Sequence, residues 1–333
     1  MSFRSDASRR VAGASPWKSS PAARRFNVVM GGIAALLTPA DILLGRHVHV
    51  THSGIGSIVW LVLLMFGALL VYCRWRPLPR LIESIEIAIW AVFFTNTLSV
   101  LIQIAGRSQY PLIDRQLSRM DARVHFSTAA AMHLAMRMPG VGHALAILYA
   151  LVAVFLLAAI LLLPFLGYGD ASRQYVMGIV FAALITAGVF ALLPAAGPWT
   201  TEGFAPSRDQ AAVTSYLTLL KSGAPAALNM KQAAVVAFPS FHVLLALLSA
   251  VALSSIRRLR AVVWALAILM CLSTLTTGWH YLTDVAGGVA LTLVTLLAVR
   301  AVLPSRTIQY REFQPAPAAM PELTDAEAAL PQG

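Results

Sequence analysis

Eight apolar runs, at residues 26–44, 55–73, 81–104, 141–163, 175–193, 242–253, 261–275 and 285–302, constrain this chain more than any other feature. Most are long enough to cross about 30 Å of hydrocarbon, where backbone N–H and C=O groups must be satisfied within their own segment, so each is expected to be a helix. Only 12% of the 333 residues are charged and 58% are hydrophobic, too little polar surface to cover a soluble globule of that size. The chain is therefore read as an all-α integral membrane protein, a transmembrane helix bundle of about eight spans. The first run carries Asp41, and the sixth is short. Pro239 would kink a sixth helix extended back to Val235, so that helix is expected to begin near Pro239, with the proline in its first turn.

The formal charge of +11 does not indicate a nucleic-acid partner, because the basic residues lie in short clusters between apolar runs. Placing the amino terminus inside puts Arg24/Arg25, Arg74/Arg76/Arg80, Arg257/Arg258/Arg260 and Arg300/Arg306/Arg311 on the cytoplasmic side. Both termini are then cytoplasmic, and residues 45–54, 105–140, 194–240 and the turn at His280 fall on the opposite face. The expected location is a bacterial cytoplasmic membrane. Residues 1–25 lack a signal-type cleavage site and are expected to be a disordered arm, and the Pro- and acid-rich residues 304–333 a disordered tail. Between them lie N-terminal transmembrane helices (26–104) and a catalytic membrane domain (105–303). Residues 111–125 place Leu112, Ile113, Leu117, Met120 and Val124 near helical spacing among charged residues, the pattern of a helix lying in the interface, either as a roof over a substrate entrance or as packing for loops.

Two stretches carry chemistry where apolar runs meet water: Phe238-Pro239-Ser240-Phe241-His242 and Gly278-Trp279-His280-Tyr281-Leu282-Thr283-Asp284. His280 and Asp284 are spaced i,i+4, so a helix presents them on one face, where the carboxyl group can hold one ring N–H and leave the other nitrogen free to attack. His242 supplies a second imidazole suited to protonating a leaving oxygen. Between the histidines the chain has room for one span down, a basic turn and one span back. Ser240 is either a phosphate contact at a helix start or a plain N-cap. Phe241 and Gly278, in the same stretches, are substrate-binding candidates. Lys221 is a further substrate-binding candidate or a solvated loop lysine, as is Lys231. His47, His49 and His52 have no carboxylate or cysteine beside them, so no metal site is expected, and no cofactor.

These stretches resemble the second and third signature motifs of the type 2 phosphatidic acid phosphatase superfamily, in the same order and at helix ends. The resemblance implies a six-helix catalytic core in which His280 forms a phosphohistidine, Asp284 orients it, His242 acts as general acid and base, and Ser240 binds phosphate. It covers roughly residues 111–302. Two departures stand out. The family's first motif, a lysine followed by Arg-Pro, is absent from residues 194–236, and Thr274 stands where an arginine is expected six residues before the nucleophile. A subset that includes the inositol phosphorylceramide synthases also lacks that arginine, and Leu193-Pro194-Ala195-Ala196-Gly197-Pro198 resembles it. A phosphate diester carries one negative charge where a monoester carries nearly two, so a site poorer in guanidinium groups suits a diester. The expected activity is a lipid phosphotransferase acting on a membrane phospholipid with an alcohol acceptor. A lipid phosphate phosphatase using water, and a non-catalytic lipid-binding or transport protein on the same scaffold, are the alternatives.

Overall fold

The computed structural model describes residues 20–47, 50–51, 55–75, 78–227 and 235–304. Among these the architecture is helical: α1 (Pro21–His47), α2 (Ile55–Trp75), α3 (Pro79–Gly106), α4 (Asp114–Arg123), α5 (Thr128–Arg137), α6 (Pro139–Leu157), α7 (Gly169–Leu192), α8 (Arg208–Lys221), α9 (Phe241–Leu253), α10 (Arg260–Thr276) and α11 (Leu282–Val302). A π-helical turn, Ala158–Leu162, carries α6 on to Phe165. The only extended pairing among the described residues is a two-residue parallel ladder, β1 (Val50–Thr51) against β2 (Ala226–Ala227).

Among the described residues six helices are long and apolar enough to span a membrane: α1, α3, α6 with its extension, α7, α10 with its preceding turn, and α11. The apolar parts of α2 and α9 are shorter, so the eight runs correspond to eight helices. With 13 residues, α9 reaches only about 20 Å at 1.5 Å per residue. The sequence boundaries need two corrections. α1 begins at Pro21, so residues 21–25, read above as part of an arm, are helical; Ser20 caps them by accepting from Ala23 N–H at 3.1 Å. α9 begins at Phe241 with Ser240 as its N-cap, which leaves Pro239 outside the first turn. Lys231, His49 and His52 lie outside the described residues, as do residues 1–19 and 305–333.

Exposure separates the inner helices from those facing lipid. In α7, 56% of the apolar window is buried, against 11% in α1 and 17% in α6. Large apolar side chains such as Leu36, Trp60, Leu64, Leu157 and Leu297 are exposed, which water would not tolerate over so wide a surface and hydrocarbon does. α7 packs against α3, α9 and α11, and α9 against α10. Gly178 permits this closeness, since a Cβ there would lie 3.3 Å from Leu248 of α9 and 3.5 Å from Thr295 of α11. At the start of α7, remote from the histidines, Arg173 pairs with Glu83 of α3 at 2.7 Å, and Glu86 accepts from Asn27 of α1. The acidic residues near the start of the third apolar run therefore join helices.

The segment read as an interfacial helix forms α4. Its inward face differs from a simple amphipathic pattern: Leu117 is buried as expected, but so are Asp114 and Asp121, three and four residues to either side of it. Residues 105–140, read as a single outer segment, also contain α5. Residues 194–240 contain α8, closed at its start by a reciprocal Ser207–Gln210 capping box.

Candidate active site

The turn between α10 and α11 is where the third motif lies, and backbone chemistry explains its shape. Gly278 has φ of +72°, a left-handed conformation available to glycine at little cost, and a Cβ there would press on Met132 and Phe204 at 3.1 and 3.2 Å. Its carbonyl accepts from Gln210 Nε2 at 3.0 Å, and the carbonyl of His280 accepts from Thr128 Oγ1 at 3.1 Å. The turn is thus tied to α8 and α5 before any side-chain chemistry is considered.

His280 is buried, and its Nδ1 faces two acceptors, the carbonyl of Ala237 at 3.1 Å and Asp284 Oδ2 at 3.4 Å. A carbonyl can only accept, so Nδ1 carries the proton and Nε2 keeps the lone pair. Burial lowers the His280 pKa to about 4, with the Ala237 hydrogen bond opposing that shift, so the contact with Asp284 is a hydrogen bond from a neutral ring and not an ion pair. Asp284 is fully buried in the first turn of α11, and its Oδ2 also accepts from Tyr281 N–H at 2.9 Å. His280 itself lies outside α11, before the N-cap Tyr281, so the turn and not a shared helix face brings the carboxyl group to the imidazole, and its shorter contact comes from the residue just before the second motif.

The second motif is fastened to the third through the backbone. Ser240 N–H donates to the Asp284 carbonyl at 3.0 Å, and Ser240 Oγ accepts from Val243 N–H at 3.3 Å as the N-cap of α9. Gly288 makes the approach possible: a Cβ there would stand 2.6 Å from the Ser240 carbonyl and 3.0 Å from Val243 Cβ. His242 then enters from α9. Its ring stacks on Tyr149 of α6 with centroids 4.0 Å apart and planes 10° apart, its Nε2 is buried with no hydrogen-bond partner, and it is close enough to His280 to interact electrostatically. Trp279 lies 6.5 Å from Tyr149 with planes 14° apart and meets Trp199 edge to face at 5.5 Å. Two imidazoles, one with a free lone pair and one with an unused nitrogen, thus come within electrostatic range of one another beside the rings of Tyr149 and Trp279.

The PAP2 superfamily model matches residues 115–298. The chain belongs to the PAP2 superfamily. No curated protein and no solved structure matches it. Membership, together with six spanning-length apolar helices, supports a membrane-embedded enzyme with a phosphatase-type activity on lipid phosphates. In this PAP2 protein the remaining candidates are placed as follows. Phe241 is half-buried in the first turn of α9. Lys221 donates from Nζ to the carbonyls of Ser108 and Tyr110 at 2.8 and 2.9 Å, which engages it in the loop after α3. Thr274 is buried and returns its hydroxyl to the Cys271 carbonyl at 2.7 Å, so the position that would carry an arginine contributes no cation. Among the described residues no group of three His, Cys, Asp or Glu could hold a metal.

Sequence reasoning missed three contributors. Ala237 acts through a backbone carbonyl and left no signal. Asp121 of α4 caps α11, accepting from Leu282 N–H at 2.7 Å, Thr283 N–H at 2.9 Å and Thr283 Oγ1 at 2.5 Å. Asp114 accepts from Ala196 N–H at 3.0 Å, Gly197 N–H at 2.8 Å and Tyr281 OH at 3.3 Å. The signal for both aspartates was their seven-residue spacing in a helix whose apolar face they share.

Proposed function

We propose that this PAP2 protein is a lipid phosphotransferase of the type resembling inositol phosphorylceramide synthases, working through a phosphohistidine at His280. The observation that carries the reading is the tautomer: Nδ1–H is held by Ala237 and Asp284, which leaves the Nε2 lone pair for phosphorus. In the first step Nε2 bonds to the phosphorus of a phospholipid diester and the bond to the diacylglycerol oxygen breaks. His242 gives that oxygen its proton. In the second step His242 takes the proton of an acceptor hydroxyl, the acceptor oxygen bonds to phosphorus, and the P–N bond to His280 breaks. Asp284 keeps the ring in place throughout, and Ser240 stands at the helix start that would meet phosphate oxygens. Thr274 supports the diester preference, since a dianionic monoester loses most from a missing guanidinium.

Measuring transfer of a phospholipid head group to an alcohol alongside phosphatidic acid hydrolysis, on matched acyl chains, tests this reading. Faster transfer is expected. Faster hydrolysis, unaffected by added alcohol, would leave the phosphatase. The same reading puts the site on the non-cytoplasmic face: a membrane-impermeant maleimide should label Ser222→Cys in intact cells and leave Ser255→Cys unlabelled. The opposite pattern would turn the site inward.

A further inference from the structure

On the outer side of Tyr281 a cleft of about 490 Å³ lies between α4 and the turn at Pro198–Thr200, large enough for a phosphorylated head group. Its wall carries Arg115, Gln116 and Arg119 of α4 and the hydroxyl-bearing Thr200 and Thr201. Arg115 and Arg119 are spaced i,i+4, so both guanidinium groups project from one side of the helix, and both are exposed. Neither makes an ion pair or a side-chain hydrogen bond among the described residues. Two like charges side by side on a helix repel, and an anion between them would remove that cost.

We propose that this cleft is an anion subsite that takes a phosphate group through Arg115 and Arg119.

The one acidic group in the wall is already engaged. Asp114 turns both oxygens to the backbone N–H groups of Ala196 and Gly197, and Oδ1 also takes the Tyr281 hydroxyl. Burial raises its pKa, with those same backbone bonds opposing. Thr201 Oγ1 lies 2.7 Å from Tyr281 OH, and Tyr281 is the immediate neighbour of His280, so an anion here sits beside the nucleophile's own turn. The cleft thus supplies cations near a motif that lacks its family's arginine. Service as a donor or acceptor subsite rests on the transferase reading; affinity for phosphate does not. The exposed Leu112, Met120 and Val124 around the arginines would let the phosphate arrive either free in solution or on a lipid.

The full chain carrying His280→Ala, purified in a neutral detergent so that no turnover intervenes, can be titrated by calorimetry with glycerol 3-phosphate and, separately, with dihexanoyl phosphatidylglycerol. Adding Arg115→Gln and Arg119→Gln together should weaken binding of at least one probe by about tenfold or more, the loss expected for charge-assisted contacts. The probe affected tells whether the phosphate comes from solution or from a lipid. Arg123→Gln, on the same helix but outside the cleft, should leave both affinities within about twofold. Parent-like binding by the double variant, an equal loss in Arg123→Gln, or no binding of either probe to the parent would each overturn the subsite. Because the readout needs no chemistry, absence of transferase activity in the wild-type protein would sink the proposed reaction and leave this result standing.

Discussion

The two motif turns are built on opposite principles. Around the third motif nearly every polar group is engaged: Gly278 by Gln210, His280 by Thr128 and Ala237, Tyr281 by Asp284, Leu282 and Thr283 by Asp121. The second motif contributes a helix cap and a backbone bond to that assembly, and its histidine, stacked on Tyr149 and hydrogen-bonded to that residue's backbone, keeps its other ring nitrogen unused. A nucleophile must reach phosphorus along one line, so fixing its ring lowers the cost of the attacking geometry. A proton carrier must serve a leaving oxygen and then an entering one, and an unengaged nitrogen suits both tasks. A buried polar atom without a partner is costly in the resting protein, and His242 Nε2 shares that condition with Asp284 Oδ1 of the third motif.

Breaking the fixed side of this contrast should have the largest effect. His280→Ala is expected to abolish phosphoenzyme formation, and a labelled, acid-labile phosphoprotein persisting in that variant would remove His280 as nucleophile. His242→Ala should slow turnover of a natural alkoxide leaving group by about 100-fold or more, and much less when the leaving group is an activated phenol. Comparing the two substrates sharpens the contrast, since equal slowing on both would mean that His242 positions and does not transfer protons.

A smaller loss follows from loosening the cap that sets the turn. Asp121→Asn keeps the shape but replaces one acceptor oxygen with a donor opposite N–H or O–H groups that also donate, costing about 1–3 kcal/mol of thermal stability in detergent. Turnover should fall with it while phosphate binding changes less. An Asp121→Asn protein as stable and active as the parent would show that the fixed turn does not depend on α4.

The smallest effect concerns pH. With the His280 pKa lowered to about 4 by burial, its neutral form persists through pH 5, and phosphoenzyme formation from an aryl diester should change by less than about twofold between pH 7 and 5. An imidazole at its usual value near 6.5 would lose most of its reactivity over that range. The sign for stability follows: the folded pKa is depressed, so between about 6.5 and about 4 the unfolded chain binds a proton that the native one refuses. Stability is therefore present above about pH 6.5 and falls as pH drops toward 4. A rate profile that breaks near 6.5 would show that water reaches the ring.

Much of this protein was written locally. Apolar length alone marked eight helices, because hydrocarbon leaves a backbone few alternatives, whereas His280 meets Asp284 from the turn before α11 and not from a shared helix face. Serine at 240 was visible as a residue suited to capping. What the chain could not show locally were partnerships between segments far apart in sequence. Asp121 caps a helix 161 residues away, and Ala237 meets His280 across 43 residues through a carbonyl that every residue type possesses. Lys221 had the composition of a phosphate ligand and became a tie for two loop carbonyls, while the arginines of α4 had the composition of a solvated helix face and came to line a cleft beside Tyr281. Periodicity and spacing fix which way a side chain leaves its own helix. Which group it then meets depends on how distant helices pack, and that was decided only when α4, α9 and α11 converged at one end of the bundle.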